Sequence, residues 1–367
     1  MSQSTTYQKF VIKNQPVNGF NFDASSPDAT FQQVTSEVPS ELPEDHLLVK
    51  TIYVSNDPAQ GFWIYSNFGS AYGGKIPVGG NVPALGIGKV VKSTSKDYAP
   101  GEYICGHCGW SEYAVLNTKD SKLLYKVSTA GDWDPTKVPL QHQMGAFGAT
   151  GITALAGLVG VAKLDIEKDH GLTYLITGAA GAVGTMAVQI AANVLKAKKV
   201  IAVAGGAEKC KWVESFGDSV VAVDYKDANY KENFKKALGD DRINVYFDNV
   251  GGEIFNYAFD FLGMNASVVC CGAISSYRGS GPQPFYKLGM IVTKRLSIQG
   301  FIVSDYIAHF PEYKSNLLKW YQEGKISPEC TTVDARGDKF SKIPDVWNGL
   351  FSGFNKGKLI TQVGDDN

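Results

Sequence analysis

The sequence predicts an α/β protein of two domains, one a doubly wound parallel sheet and the other built of short β-strands. Three observations carry that prediction. The chain has 367 residues, more than one hydrophobic core ordinarily organises. Beyond Leu172 strand-like and helical runs alternate, whereas the first ~145 residues show short β-runs. The alternation also opens on a glycine cluster set between a strand and a helix.

The elements follow in order. Leu47–Val54, Gly88–Ser93 and Ser111–Leu116 are β-runs separated by Gly, Pro and Asp. Met144–Ala162 is uncharged and rich in glycine, which predicts a tightly packed buried helix rather than a membrane span. Strands are expected at Leu172–Thr177, Lys199–Ala204, Ser219–Asp224, Ile243–Asp248, Ala266–Gly272 and Arg295–Phe301. Helices are expected at Ala182–Lys196, Ala207–Phe216, Tyr230–Leu238 and Glu253–Leu262, with one more amphipathic helix over Pro311–Ile326. The terminal Gly-Asp-Asp-Asn is expected to fray.

Composition excludes several classes of function. The net charge is −1 and no block of like charges stands out, which argues against nucleic acid or an anionic membrane as partner. No apolar run follows the first methionine, so no secretory signal is read. The six cysteines are accordingly expected to be reduced thiols of a cytoplasmic protein. Cys105-Gly-His107-Cys108 lacks the second ligand pair that a closed zinc site needs, so no metal is expected. Gly69–Ile76 approaches a phosphate loop, but Ile76 replaces the required hydroxyl and Pro77 precludes a helix, leaving a mobile loop. The pairs Glu44/Asp45 and Asp240/Asp241 read as solvated loop residues, and no Gly-x-Ser-x-Gly is present.

The glycine cluster is Gly178-Ala-Ala-Gly181-Ala-Val-Gly184. Glycines there permit a tight turn, close backbone approach to a ligand and close strand–helix packing, while the helix amino terminus suits a pyrophosphate. An NAD site places an acid at the end of the second strand. Here that strand ends in Ala204-Gly205-Gly206, with Glu208 and Lys209 following. The missing acid and the lysine predict NADPH, since a lysine attracts a 2′-phosphate.

"SNDP", "FDNVGGEIFNYAFDFL", "CGAISSYRGSGP" and "LSIQGFIV" resemble the zinc-independent medium-chain dehydrogenases/reductases, in the branch of the prostaglandin reductases and plant double-bond reductases. The resemblance spans about residues 45 to 360. It implies a GroES-like β-barrel substrate domain over 1–146, a Rossmann NADPH-binding domain over 147–305, and a segment over 306–367 that returns to the first. It places Gly181, Ala182, Val183 and Gly184 at the pyrophosphate, and Gly205, Lys209 and Tyr225 around the 2′-phosphate. Asn249, the run Cys271, Gly272, Ala273, Ile274 and Ser275, then Phe301, Ile302, Val303 and Asn355 hold the nicotinamide half. Two departures stand out. Ala207 replaces a lysine of that branch, Lys209 being placed as in quinone reductases, and Ala59-Gln60-Gly61 replaces Tyr-Met-Arg near the substrate entrance.

The implied activity is reduction of the C=C bond of an α,β-unsaturated aldehyde or ketone, by a homodimer. Without zinc a hydrogen-bond donor must stabilise the enolate. Tyr277, following a strand end in a Gly/Ser-rich loop, is the candidate catalytic and substrate-binding residue, and Tyr53 is a candidate for the opposite pocket wall. A quinone or carbonyl reductase and a non-catalytic NADPH-binding protein are the alternatives.

Overall fold

The computed structural model describes residues 5–17, 19–64, 76–120, 123–127, 138–277 and 284–366. The near-phosphate-loop reading over 69–75 lies outside these residues.

Among the described residues, six parallel strands form one sheet in the order Val220–Asp224, Lys199–Ala204, Thr173–Thr177, Ile243–Asp248, Leu262–Cys270, Ser297–Gly300. These strands are apolar runs because helices cover both faces: Thr173–Thr177 is buried throughout. The helices Ala182–Gln189, Ala207–Glu214, Tyr230–Leu238 and Gly252–Ala258 connect the strands. Strand order reverses between Thr173–Thr177 and its neighbour Ile243–Asp248, which opens a crevice at their carboxyl ends, where doubly wound sheets bind ligands.

The helix expected over 182–196 is interrupted. It stays α-helical to Gln189 and continues as a π-helical turn over Ile190–Val194. The segment expected as one buried helix within 144–162 divides the same way, into Ala149–Leu155 and a π-helical Ala156–Val161. Its glycines serve close approach: a Cβ on Gly157 would stand 2.4 Å from the Phe247 ring. No helix among the described residues is long and apolar enough to cross a membrane.

The other large sheet has, among the described residues, seven strands, with His46–Ser55 at its centre, paired to Gly86–Ser93 and Tyr113–Asn117. The late strands Cys330–Asp334 and Lys358–Gln362 complete it, the latter antiparallel to His46–Ser55. The carboxyl-terminal region does not return at once, however. Helix Phe310–Gln322 packs Tyr313, Leu317, Leu318 and Trp320 into the core of the parallel-sheet domain. Its apolar face, not its place in the chain, decides where it docks. The expected fraying of the tail is also corrected: Asp365 pairs with Arg336, and the Tyr103 hydroxyl donates to Asp366 at 2.5 Å.

Candidate active site

A cleft of about 1920 Å³ runs between the two domains, well above the ~1000 Å³ of a drug-sized pocket. One wall begins at the strand–turn–helix 173–189. Gly178 takes a positive φ of 62° to turn the chain, and a Cβ on Gly184 would stand 2.1 Å from the Gly178 carbonyl oxygen. Only glycine lets the helix start this close to the strand, and its free N–H groups face the cleft. The second domain reaches the same turn: the Gly357 N–H donates to the Ala180 carbonyl at 3.0 Å. Asn355, buried nearby, holds that loop by donating from Nδ2 to the Gly357 carbonyl at 2.6 Å.

At one end the cleft is basic. Lys209 and Lys226 both line it. Burial lowers the Lys209 pKa, the positive charges of Lys226 and Lys356 lower it further, and Glu208 opposes them. Glu208 does not cancel Lys209, because its carboxylate is engaged by Lys356 Nζ at 2.5 Å. Tyr225 lies over Gly205, where a Cβ would meet the ring at 2.7 Å. The acid missing from the second strand has a counterpart on the third: Asp224 accepts the Gly206 N–H at 2.8 Å and the Lys226 N–H at 2.9 Å. Excess cationic charge beside an open strand tip fits a 2′-phosphate. The glycine cradle and these lysines are thus suited to hold NADPH. Lys226, which converges on the cleft from a strand end, is absent from the sequence reading, as is Lys356 of the other domain, which acts here by occupying Glu208.

The opposite side of the switch point is built on Asp248, 2% exposed. Its carboxylate accepts from Thr177 Oγ1 at 2.5 Å, Tyr246 Oη at 2.9 Å, Gly251 N at 2.8 Å and Val250 N at 3.2 Å. Burial raises its pKa against the lowering effect of those donors. Asn249 Nδ2 donates to the Thr177 carbonyl at 2.7 Å, so the two strands that frame the crevice are tied at their ends.

The loop from Cys271 rests on the same residues, with Cys271 N–H on the Asp248 carbonyl at 2.8 Å and Ile274 N–H on the Asn249 carbonyl at 3.2 Å. Cys271, Gly272, Ile274, Ser275 and Tyr277 line the cleft, as do Phe301, Ile302 and Val303. Ala273 is not on the wall; its N–H donates to the Tyr277 hydroxyl oxygen at 2.8 Å. Tyr277 is not the exposed loop residue that composition alone suggests. It is 9% exposed, with its ring edge-on to Phe62 at 4.2 Å. An oxygen that accepts from a main-chain N–H becomes a better donor through its own proton.

Tyr53 is placed elsewhere. Its strand pairs it with Gln362 and Ile87, and it packs against the cluster of Ile52, Ile87, Cys105, Val127, Leu140, Met144 and Ile360 rather than on the cleft wall. The barrel side of the cleft is instead formed by Asn56, Asp57, Ala59, Trp63, Val82, Pro83, Leu85 and His107. The departure Ala59-Gln60-Gly61 lies here. Gln60 is fully buried, accepting the Asp57 N–H at 2.7 Å and donating to the Pro83 carbonyl at 2.7 Å. Asp57 also accepts from Lys358 Nζ at 2.6 Å, a part-buried pair between residues 301 apart in sequence.

The Cys105/Cys108 cluster does not converge. Both thiols are buried, and burial pushes their pKa up to about 11 and about 12. Among the described residues no group of three His, Cys, Asp or Glu is placed to hold a metal.

Comparison with known proteins gives the family. The model described as zinc-binding dehydrogenase matches residues 182–323, and that described as N-terminal domain of oxidoreductase matches 20–124. A Saccharomyces cerevisiae protein named as an uncharacterized membrane protein is 41% identical, covering 98% of this chain and 99% of its own. Prostaglandin reductase 1 of Rattus norvegicus is 30% identical over 94% of this chain and 97% of its own. The crystal structure of CurA from Vibrio vulnificus in complex with NADPH superposes with a TM-score of 0.82 at 25% identity, covering 98% and 99% of the two chains. With a doubly wound sheet, a second β-domain and matches along nearly its whole length, the chain belongs to the oxidoreductases of the zinc-independent medium-chain dehydrogenase/reductase family, in the branch of the prostaglandin and 2-alkenal reductases.

Proposed function

We propose that the protein reduces the C=C bond of α,β-unsaturated aldehydes and ketones with NADPH and without a metal. The observation that carries this reading is the Tyr277 hydroxyl, which accepts the Ala273 N–H at 2.8 Å on a residue lining the same cleft as the glycine turn and Lys209. The relatives named prostaglandin reductase, 2-alkenal reductase and NADPH-dependent curcumin reductase support it.

When bound, NADPH supplies a hydride to the β-carbon of the substrate. The residues of this chain do the rest. The 178–184 turn, Lys209 and Lys226 would hold the phosphates of the cofactor, and Asn249 and Phe301, on the wall of the same cleft, would hold its reacting half. Tyr277 hydrogen-bonds the carbonyl oxygen, where charge grows as the β-carbon takes the hydride, and the resulting enolate becomes the saturated ketone by taking a proton from solvent at its α-carbon. The apolar side chains of the cleft keep water from the Tyr277 hydrogen bond and strengthen it. Product analysis with a simple enone tests the reading. A saturated ketone supports it, an allylic alcohol makes the enzyme a carbonyl reductase, and no turnover makes it a cofactor-binding protein.

A homodimer in the cytoplasm completes the reading. The parallel sheet ends on the exposed strand Ser297–Gly300, and Leu288 and Val292 of the preceding helix are 69% and 74% exposed. An edge of this kind is ordinarily covered.

A further inference from the structure

The loop that carries Asn355 joins the domains at two points, and the second lies beside the basic end of the cleft. Gly353, Asn355 and Gly357 line the cleft, and Gly357 meets the glycine turn at Ala180. Lys356 reaches past them to the helix Ala207–Glu214 of the other domain. Its main chain is fixed on its own side: the Lys356 N–H donates to Thr331 Oγ1 at 3.1 Å, and that hydroxyl donates to the Lys356 carbonyl at 2.9 Å. Its ammonium is held at two places one helical turn apart, by the Glu208 carboxylate at 2.5 Å and over the Trp212 ring, 5.9 Å from the centroid.

That contact decides the charge beside Lys209. Glu208 and Lys209 are adjacent in the first turn of the helix, just past the strand tip Gly205-Gly206. The loop flanks the lysine too, since a Cβ on Gly353 would stand 3.5 Å from Lys209 Nζ. Asp224, the other acid near the tip, already accepts the Gly206 and Lys226 N–H groups. Glu208 is therefore the acid whose charge depends on the other domain. Freed from Lys356, it would repel a 2′-phosphate and suit instead the ribose 2′-hydroxyl of NADH, which donates to a carboxylate. The pair sits at the rim, with the Glu208 side chain 86% exposed, so its effect is modest and screened by salt.

We propose that Lys356 is a specificity-determining residue that acts across the domain seam: by occupying Glu208 it makes the preference for NADPH over NADH depend on the substrate domain. The proposal rests on the NADPH reading, and binding of the two cofactors tests the two separately. Dissociation constants for NADPH and NADH are measured by fluorescence titration at low salt. The proteins are the unmutated chain, Lys356→Met, Lys356→Arg, Glu208→Gln and the double variant Glu208→Gln/Lys356→Met.

Lys356→Met should weaken NADPH roughly three- to fivefold, in keeping with an exposed ion pair, and leave NADH unchanged or bound more tightly. Lys356→Arg, which keeps the charge, should keep the preference. With Glu208→Gln already in place, Lys356→Met should change NADPH affinity by less than about twofold, because no acid is left to occupy. An equal loss in both backgrounds overturns the proposal, since Lys356 would then meet the phosphate itself. Parallel weakening of both cofactors also overturns it, being what a loosened seam alone produces. If the unmutated protein and Lys356→Met prefer NADPH equally, the proposal fails while the NADPH reading stands. If the unmutated protein binds NADPH and NADH alike, the NADPH reading fails and the proposal with it.

Discussion

Removing the Lys209 ammonium probes the assignment of the cofactor most directly. Lys209 is half-buried on the cleft wall, and Glu208, the acid beside it, is held by Lys356. In Lys209→Ala a 2′-phosphate loses one charge-assisted contact, ordinarily worth about 1.5–3 kcal/mol. Lys226 remains on the cleft wall and takes over part of the interaction, which places the expected loss near the lower end, about 2 kcal/mol. The NADPH dissociation constant should therefore rise roughly thirtyfold. NADH carries no 2′-phosphate, so its affinity should stay within about twofold. The assay is a fluorescence titration of both cofactors at low and high salt, with Lys209→Arg as the variant that keeps the charge. Screening should narrow the gap between the two cofactors in salt. Equal affinity of the unmutated protein for NADPH and NADH, or parallel weakening of both in Lys209→Ala, refutes the reasoning.

Four further outcomes are expected. Tyr277→Phe should lower turnover of a simple enone by roughly tenfold or more while leaving NADPH affinity unchanged, short of the 10²–10³ lost with a dominant oxyanion donor; unchanged turnover would reduce Tyr277 to a pocket wall. Activity should survive prolonged chelation, and elemental analysis should find no stoichiometric zinc; one tightly bound zinc per chain would reverse the reading of Cys105 and Cys108. Lys314, 5% exposed, has its pKa pushed down to about 8 by burial. Below that pH folded and unfolded states both hold the proton and folding bears the full burial cost; above it the folded state releases the proton first, so Lys314 by itself contributes a rise in stability with pH, opposed by the six cysteines, whose folded pKa values burial raises. The advantage of Lys314→Met over the unmutated protein should therefore be up to about 3 kcal/mol at pH 7 and shrink above pH 8, checked by denaturant titration of both proteins across pH. Light scattering should give a dimer mass, and Val292→Glu should shift it toward the monomer; a monomeric unmutated protein would leave the exposed Ser297–Gly300 edge unexplained.

The doubly wound domain was legible because its signals are local. Lys199–Ala204 and Ile243–Asp248 occupy the residues their apolar runs predict, since a strand buried on both faces needs an unbroken apolar stretch. The glycine turn was equally plain, because the contact between Gly184 and Gly178 spans six residues of one turn. Helix interiors were less so. The π-helical turn at Ile190–Val194 arises in a segment packed against its surroundings, and no residue type in the sequence marks it.

Alone, the sequence determined the strand–turn–helix order, the cradle for a dinucleotide and the lack of paired metal-ligand motifs, all of which depend on residues close together in the chain. The tertiary structure decided which distant side chains share the cleft. Tyr53 and His107 illustrate the difference: strand periodicity says that successive side chains of Tyr53's strand point to opposite faces, but not which face meets the cofactor domain, and the turn that carries His107 has no periodicity to read. Tyr53 therefore went to the cluster with Tyr103 and Tyr125, and His107 to the cleft. The joining of Lys358 to Asp57, and of Lys356 to Glu208 beside Lys209, waited on the return of the last strand to the first domain. Long-range pairs of this kind arise only where the packed backbone brings their ends together, and a local pattern carries no record of them.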